Sequence, residues 1–197
     1  MVRSVEEVET WIRQREPVFL QALTEYGDLI GAGREYTRPF PFFRRIPGTF
    51  IGKNLCDIAT TALTHAITSR YGIEVLAQPA HAQIRVSTRS VDHLWVRLGC
   101  GTLTHFADLV HRQINPKQSM IIFDQIEKEP DYFDIEEKPI LDEACEYYWW
   151  TVERHKNIMS IRKPEVVPLL EDGFNKVIRS LVGDGSLPES KSFDFTS

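Results

Sequence analysis

The chain has 197 residues, 42% hydrophobic and 26% charged, with a formal net charge of -5 and an isoelectric point near 5.7. That is enough chain for one core, and its acidity argues against a surface that wraps a phosphate backbone, which sets nucleic acid aside as a partner. Met1 to Glu16 is charged throughout and no stretch approaches the ~20 apolar residues of a bilayer span, so the expectation is a soluble protein with no membrane partner. A cytoplasmic location, or export without a cleavable signal peptide, follows from the same reading.

At the N-terminus, Ser4 and Glu7 have the spacing of a capping box, and Val5, Val8, Trp11 and Ile12 follow at helical period. Pro17 fits the first turn of a second helix in which Phe19, Ala22, Leu23 and Tyr26 share a face, with Gly27 near its end. Residues 31–50 interleave Arg34, Arg38, Arg44 and Arg45 with Tyr36, Phe40, Phe42 and Phe43 between prolines. Such a composition excludes a helix or a central strand and predicts an extended connection. Its phenylalanines would plug into the core while its arginines stay wet, and the same alternation could also hold a protein partner.

Cys56 to Arg70 carries Ile58, Ala59, Ala62, Leu63, Ala66 and Ile67 on one stripe, with Gly72 at its end. Strands are predicted at Ile73–Ala77, Ala82–Thr88, Leu94–Leu98 and Met120–Ile126 from their aliphatic content and alternation. Thr104 to Arg112 reads as a short helix before the turn signal Asn115-Pro116. Leu141, Ala144, Cys145, Tyr148, Trp149 and Val152 mark a further amphipathic helix, with Cys145 on its core stripe. Pro164 precedes a last helix through Val167, Leu170, Phe174, Val177, Ile178 and Leu181, closed by Gly183. The expected architecture is α+β: an antiparallel sheet of about four strands packed on a central helix that bears Cys56 at its N-terminus, flanked by N- and C-terminal helices. One domain over 1–185 and a polar tail over 186–197 complete the layout.

Three cysteines without a Cys-x-x-Cys cannot all be bridged internally and lack a recognised zinc spacing, which predicts reduced thiols. His105 and His111 flank Asp108 at a spacing of six, which does not put both on one helix face. No metal and no cofactor is expected. The chemistry instead points to Cys56. A thiol at a helix N-terminus gains thiolate stability from the unpaired N–H groups, and a nearby imidazolium adds to it. Gly52-Lys53-Asn54-Leu55 places a capping-type Asn54 ahead of the thiol, where the first turn could also hold an oxyanion. If Leu94, Val96 and Leu98 face the helices, His93, Trp95 and Arg97 lie on the other face of their strand, with His93 able to lean toward a helix start. Asp124, ending the apolar run Met120-Ile121-Ile122-Phe123, is the expected acid, and Asp108 is its rival.

Thr49 to Asp124 resembles the core of transglutaminase-like and papain-like cysteine enzymes: a thiol opening a helix that ends in Tyr71-Gly72, then His93 followed by Trp95-Val96, then Asp124 ending a later strand. The resemblance implies the roles of nucleophile for Cys56, general base for His93 and orienting acid for Asp124. Asp57 stands directly after the thiol, where transglutaminase-like sequences commonly carry a bulky residue. Phe50 stands six residues upstream of it, where papain-like enzymes carry Gln. The implied activity is that of a thiol hydrolase or acyltransferase acting on a protein, peptide or small acyl or amide substrate. From their place beside His93 on its strand, Trp95 and Arg97 are the candidate substrate contacts. The alternative is a non-catalytic protein-binding module of the same fold.

Overall fold

The computed structural model describes residues 4–30, 55–86, 89–111, 121–128, 133–134 and 144–183, with side chains omitted at 82–92 and 133–151. The Arg-aromatic segment 31–50, Asn54 and the tail 186–197 lie outside the described residues, as does the side chain of Cys145.

The fold is α+β. Its elements are α1 (Val5–Ile30), α2 (Cys56–Tyr71), β1 (Leu76–Val86), β2 (Arg89–Gly99), β3 (His105–Asp108), β4 (Ile122–Gln125), β5 (Phe133–Asp134), α3 (Ala144–Arg162) and α4 (Val167–Val182). The two helices predicted before residue 30 form one, with Pro17 inside it. An interior proline forfeits one ladder hydrogen bond and ordinarily costs about 3 kcal/mol. Here Val8, Trp11 and Ile12 are buried before it and Phe19, Leu23 and Tyr26 after it, so a single apolar stripe holds the helix through the proline. Gly173 of α4 lies against this stripe: a Cβ there would stand 3.0 Å from Leu29 Cδ1 and 3.1 Å from Tyr26 Cδ2, so its lack of a side chain sets how closely α1 and α4 approach.

Helix α2 is enclosed. It packs on β1 and β2 on one side and on α3 and α4 on the other, and all residues from Cys56 to Thr64 are buried. Such a helix must satisfy its polar side chains internally. Thr61, Thr64 and Thr68 do so by donating their hydroxyls to the carbonyls of Asp57, Thr60 and Thr64, at 2.7, 2.9 and 2.9 Å. Gly72 closes α2 at φ +57°, giving its N–H to Thr68, and Gly183 closes α4 at φ +80°, as their places after each apolar run predict.

The described sheet is antiparallel, in the order β4-β3-β2-β1-β5. Its spine is the β1–β2 hairpin, paired from Leu76↔Gly99 to Val86↔Arg89. The two strands expected at Ile73–Ala77 and Ala82–Thr88 are one strand, and Gly72–Glu74 is a 3-10 turn. Pro79 does not break β1. Opposite Val96, it lies outside the short stretch Gln83–Ile84 over which β5 occupies the other edge, so its missing N–H costs no described ladder bond. The helix expected over Thr104–Arg112 is instead strand β3 with a turn after it, pairing Val96↔Ala107 through Leu98↔His105. Leu98 overrides the local pattern by taking the Thr104 N–H at 3.1 Å, which folds the chain back onto β2 after a four-residue excursion. Among the described residues, no helix is long and apolar enough to cross a membrane.

Gly99 is the pivot of that return, since a Cβ built on it would fall 1.8 Å from the Thr102 carbonyl oxygen. Gly99→Ala therefore has to displace backbone, and overpacking of this kind costs about 3 kcal/mol. Urea unfolding should show that loss as a lower midpoint at an unchanged slope. A midpoint equal to wild type would mean that the 100–104 turn is not built around this position.

Candidate functional site

Cys56 is the first residue of α2, as its sequence context predicts, and it is buried. Leu55 precedes it as the cap without a side-chain hydrogen bond, so the first turn relies on other groups. Asp57 supplies one: its Oδ1 accepts the Ile58 N–H at 2.8 Å, which places a carboxylate at the positive end of the helix. The cysteine sulfur accepts backbone hydrogen bonds from Leu94 and Asp57. The Leu94 bond locates the thiol in the sheet. Strand β3 pairs with β2 only over Val96–Leu98, so its ladder ends before Leu94, and the sulfur binds β2 beyond that end.

One residue before Leu94, the His93 ring is 1% exposed and stacks on Trp95, with centroids 6.2 Å apart and planes 18° from parallel. Leu94, Val96 and Leu98 join the core cluster with α2, as alternation predicts. His93 Nε2 meets Asp108 Oδ2 at 2.7 Å. His111 Nδ1 meets the same oxygen at 3.0 Å, and Asp108 Oδ1 accepts the Val110 N–H at 3.0 Å. Burial alone would raise the Asp108 carboxyl, but the His93 charge and the hydrogen bonds from His111 and His93 hold it down at about 2. It is an ionised carboxylate with both oxygens engaged.

The thiol stands the other way. Burial pushes Cys56 far above the ordinary thiol range, the Asp57 and Asp108 carboxylates push it further, and the two backbone N–H bonds only partly offset them. A resting thiolate, which the helix-start context predicts, is therefore replaced by a neutral thiol. Desolvation outweighs the helix end because the partial charge there is about half a unit while the anion would lose its whole hydration shell.

The predicted residues separate as follows. Cys56 reaches the backbone of β2 at Leu94, His93 stacks on Trp95 from the neighbouring position, and the acid on His93 is Asp108. Asp124 is not part of this group. It lies on β4 opposite Phe106, and its Oδ1 takes the Lys128 ammonium and the Gln125 N–H, each at 2.8 Å. The Lys128 bond holds the Asp124 carboxyl below its usual range. The cause of the misassignment is the structure of 104–111: read as a helix, it kept Asp108 away from the sheet, whereas as a strand it ends beside the His93 strand. Arg97 is half-buried and faces Phe106 and Gln78 in register, two residues along β2 from Trp95. No hydrogen bond joins the Cys56 sulfur to the His93 ring among the described residues. With Nε2 on Asp108, Nδ1 is the ring atom left to exchange a proton.

A third buried histidine lies beside the residue that follows the thiol. His155 of α3 bonds Asp57 Oδ2 through Nε2 at 3.0 Å and Tyr26 Oη through Nδ1 at 3.0 Å. Sequence reading passes over it, because an isolated histidine after an aromatic helical run carries no spacing signal. The only cue is Asp57 itself, an acid inside an otherwise apolar helix start. Among the described residues no group of three or more His, Cys, Asp or Glu side chains is arranged to hold a metal ion.

Compared with protein-family models, with curated proteins and with solved structures, the chain matches none of them. The functional reading thus rests on the geometry of the residues themselves.

Asp108 makes a pH signature. Its carboxyl sits at about 2 in the folded chain, against ~3.9 when unfolded. A depressed acid contributes stability that is fully present above its unfolded value and is lost as the pH falls through its folded value. Between about pH 4 and pH 2, wild type should lose urea resistance more steeply than Asp108→Asn, which has no proton to gain there. Asp124→Asn removes only an exposed pair, worth less than about 1 kcal/mol, and should leave that slope nearly unchanged. Equal slopes for wild type and Asp108→Asn would remove Asp108 from the buried network.

Proposed function

We propose that the protein is a cysteine-dependent acyl-transfer enzyme or hydrolase acting at an amide or thioester carbonyl, with Cys56 as nucleophile, His93 as general base and Asp108 as the acid that orients it. The supporting observation is the buried His93–Asp108 pair one residue from the backbone N–H that holds the thiol of a helix-opening cysteine.

The neutral thiol determines the order of events. Attack of Sγ on the carbonyl carbon forms the S–C bond as the thiol proton passes to His93 Nδ1. The tetrahedral oxyanion then collapses, the bond to the leaving amine or thiol breaks, and His93 returns the proton to that leaving group. An acyl-thioester on Cys56 remains. Water or an amine attacks it, giving its proton to His93, and Cys56 leaves as the thiol after that proton returns. Asp108 stays ionised and holds the imidazolium, since it already accepts the Nε2–H. Oxyanion donors at the helix start are restricted, because the Ile58 N–H is taken by Asp57. The Cys56 N–H is the first-turn donor best placed to serve. A deamidase, peptidase, transglutaminase or N-acyltransferase differs only in what reaches the acyl-enzyme. The substrate is a protein, a peptide or a small acyl or amide compound.

The alternative, a non-catalytic protein-binding module, draws support from the same burial, since an enclosed thiol is also what a core cysteine looks like. An acylating probe separates the two. A p-nitrophenyl ester or activated thioester should add one acyl group to Cys56, read by peptide mass spectrometry, and Cys56→Ala should abolish it. His93→Ala and Asp108→Asn should slow acylation at least ~100-fold, with Asp124→Asn close to wild type. Acylation confined to the exposed Cys100 would leave the module as the reading.

A further inference from the structure

The Tyr26–His155–Asp57 chain serves no step of the proposed reaction, yet it ends on the residue that follows the nucleophile. Its members come from α1, α3 and α2 and are 1%, 5% and 3% exposed, so their charges are not screened by water. The ring of His155 can be satisfied in two forms. When neutral, it donates Nε2–H to Asp57 and accepts the Tyr26 hydroxyl proton at Nδ1. When protonated, it donates from both nitrogens, with Tyr26 Oη as the acceptor on the second. A hydroxyl partner allows both, because it can reverse its role. The two forms differ by one charge beside Asp57, and Asp57 is the carboxylate next to Cys56.

We propose that His155 is a positioning residue for Cys56: pinned by Tyr26, it sets the charge left on Asp57 and thereby how readily the neighbouring thiol ionises. The inference rests on reading Cys56 as a reactive thiol. With His155 protonated, the pair is neutral and only burial and Asp108 still oppose thiolate formation. With His155 neutral, the Asp57 charge stands uncompensated beside the sulfur. The site thus has two histidine–carboxylate pairs with separate tasks: His93–Asp108 moves the proton, and His155–Asp57 tunes the field in which it moves.

Other charged groups around the pair are few. Arg154 of α3 approaches Asp57 Oδ2 to 4.0 Å from a half-exposed position. From β3, Asp108 is the carboxylate that acts on the thiol. Helix α4 presents Phe174 to the Tyr26 ring, with centroids 6.0 Å apart, while its Glu171 and Lys176 are engaged by Lys156 and Glu25. Helix α1 contributes Tyr26.

The test is the rate of Cys56 alkylation by iodoacetamide in the full chain from pH 6 to 10, with the exposed Cys100 in the same molecule as internal reference. Asp57→Asn should raise the Cys56 rate at least tenfold and move its profile to lower pH. His155→Gln should lower the rate at least fivefold and move the profile up. In the double variant the effect of His155→Gln should vanish. Opposite signs are the mark of a charge effect, because loosened packing raises the rate in both variants. A rise in both, or no change in either, overturns the proposal. Tyr26→Phe keeps the ring and loses the hydroxyl. It should act as His155→Gln does, at about half its logarithmic size, and it decides the matter if His155→Gln fails to fold, with an unchanged rate counting against the proposal. Alkylation reads ionisation and not turnover. Failure of Cys56 to form an acyl-thioester would therefore refute the enzyme reading while leaving these ratios standing.

Discussion

Helix α2 has no solvent face over its first half, and that enclosure governs the rest of the structure. Every polar group that enters with it has to find a partner inside the protein. The threonines turn back on their own helix, Asp57 binds the Ile58 N–H and His155, and the Cys56 sulfur takes an N–H from β2. A surface helix could leave these groups to water. Here the Asp57 bond to His155 and the Cys56 contact with β2 become ties between layers, so the features that position the thiol also help to seat the helix.

The same enclosure reverses the usual argument about thiols at helix starts. Helix-end stabilisation acts through partial charges of about half a unit, whereas desolvation of a full anion costs several times as much. Cys56 has the favourable position and still remains protonated, with two carboxylates adding to the penalty. In the proposed reaction, the nucleophile depends on its base at the moment of attack. That gives the tightly held His93–Asp108 pair more to do than in a site with a preformed ion pair.

Much of the architecture was legible from pattern alone. Apolar period located α2 and α4, Gly72 and Gly183 marked their ends, and alternation at Leu94, Val96 and Leu98 assigned the core face of β2. The errors share a physical cause, which is that local signals were overruled by partners distant in sequence. Pro17 suggested a helix break, but one buried stripe runs through it. The 104–111 segment has helical spacing, but its backbone is claimed by β2, beginning with the Thr104 bond to Leu98. That single change of element moved the acid on His93 from Asp124 to Asp108. Cys56 and His93 were singled out because their immediate contexts carry chemistry. His155 was not, since its meaning lies in Tyr26 and Asp57, and nothing in its own neighbourhood points to them.

The Tyr26–His155 bond joins residues 129 apart in sequence, and the Asp57–His155 bond joins residues 98 apart. The β1–β2 hairpin, by comparison, closes on itself with near neighbours. Long-range closures of this kind are the slow part of folding. During synthesis the hairpin and α2 can emerge and pair while α3 is still unmade, and through that interval Cys56 is without one wall of its enclosure. The thiol is then at its most open to oxidants and electrophiles, and it is the arrival of the C-terminal helices that seals it.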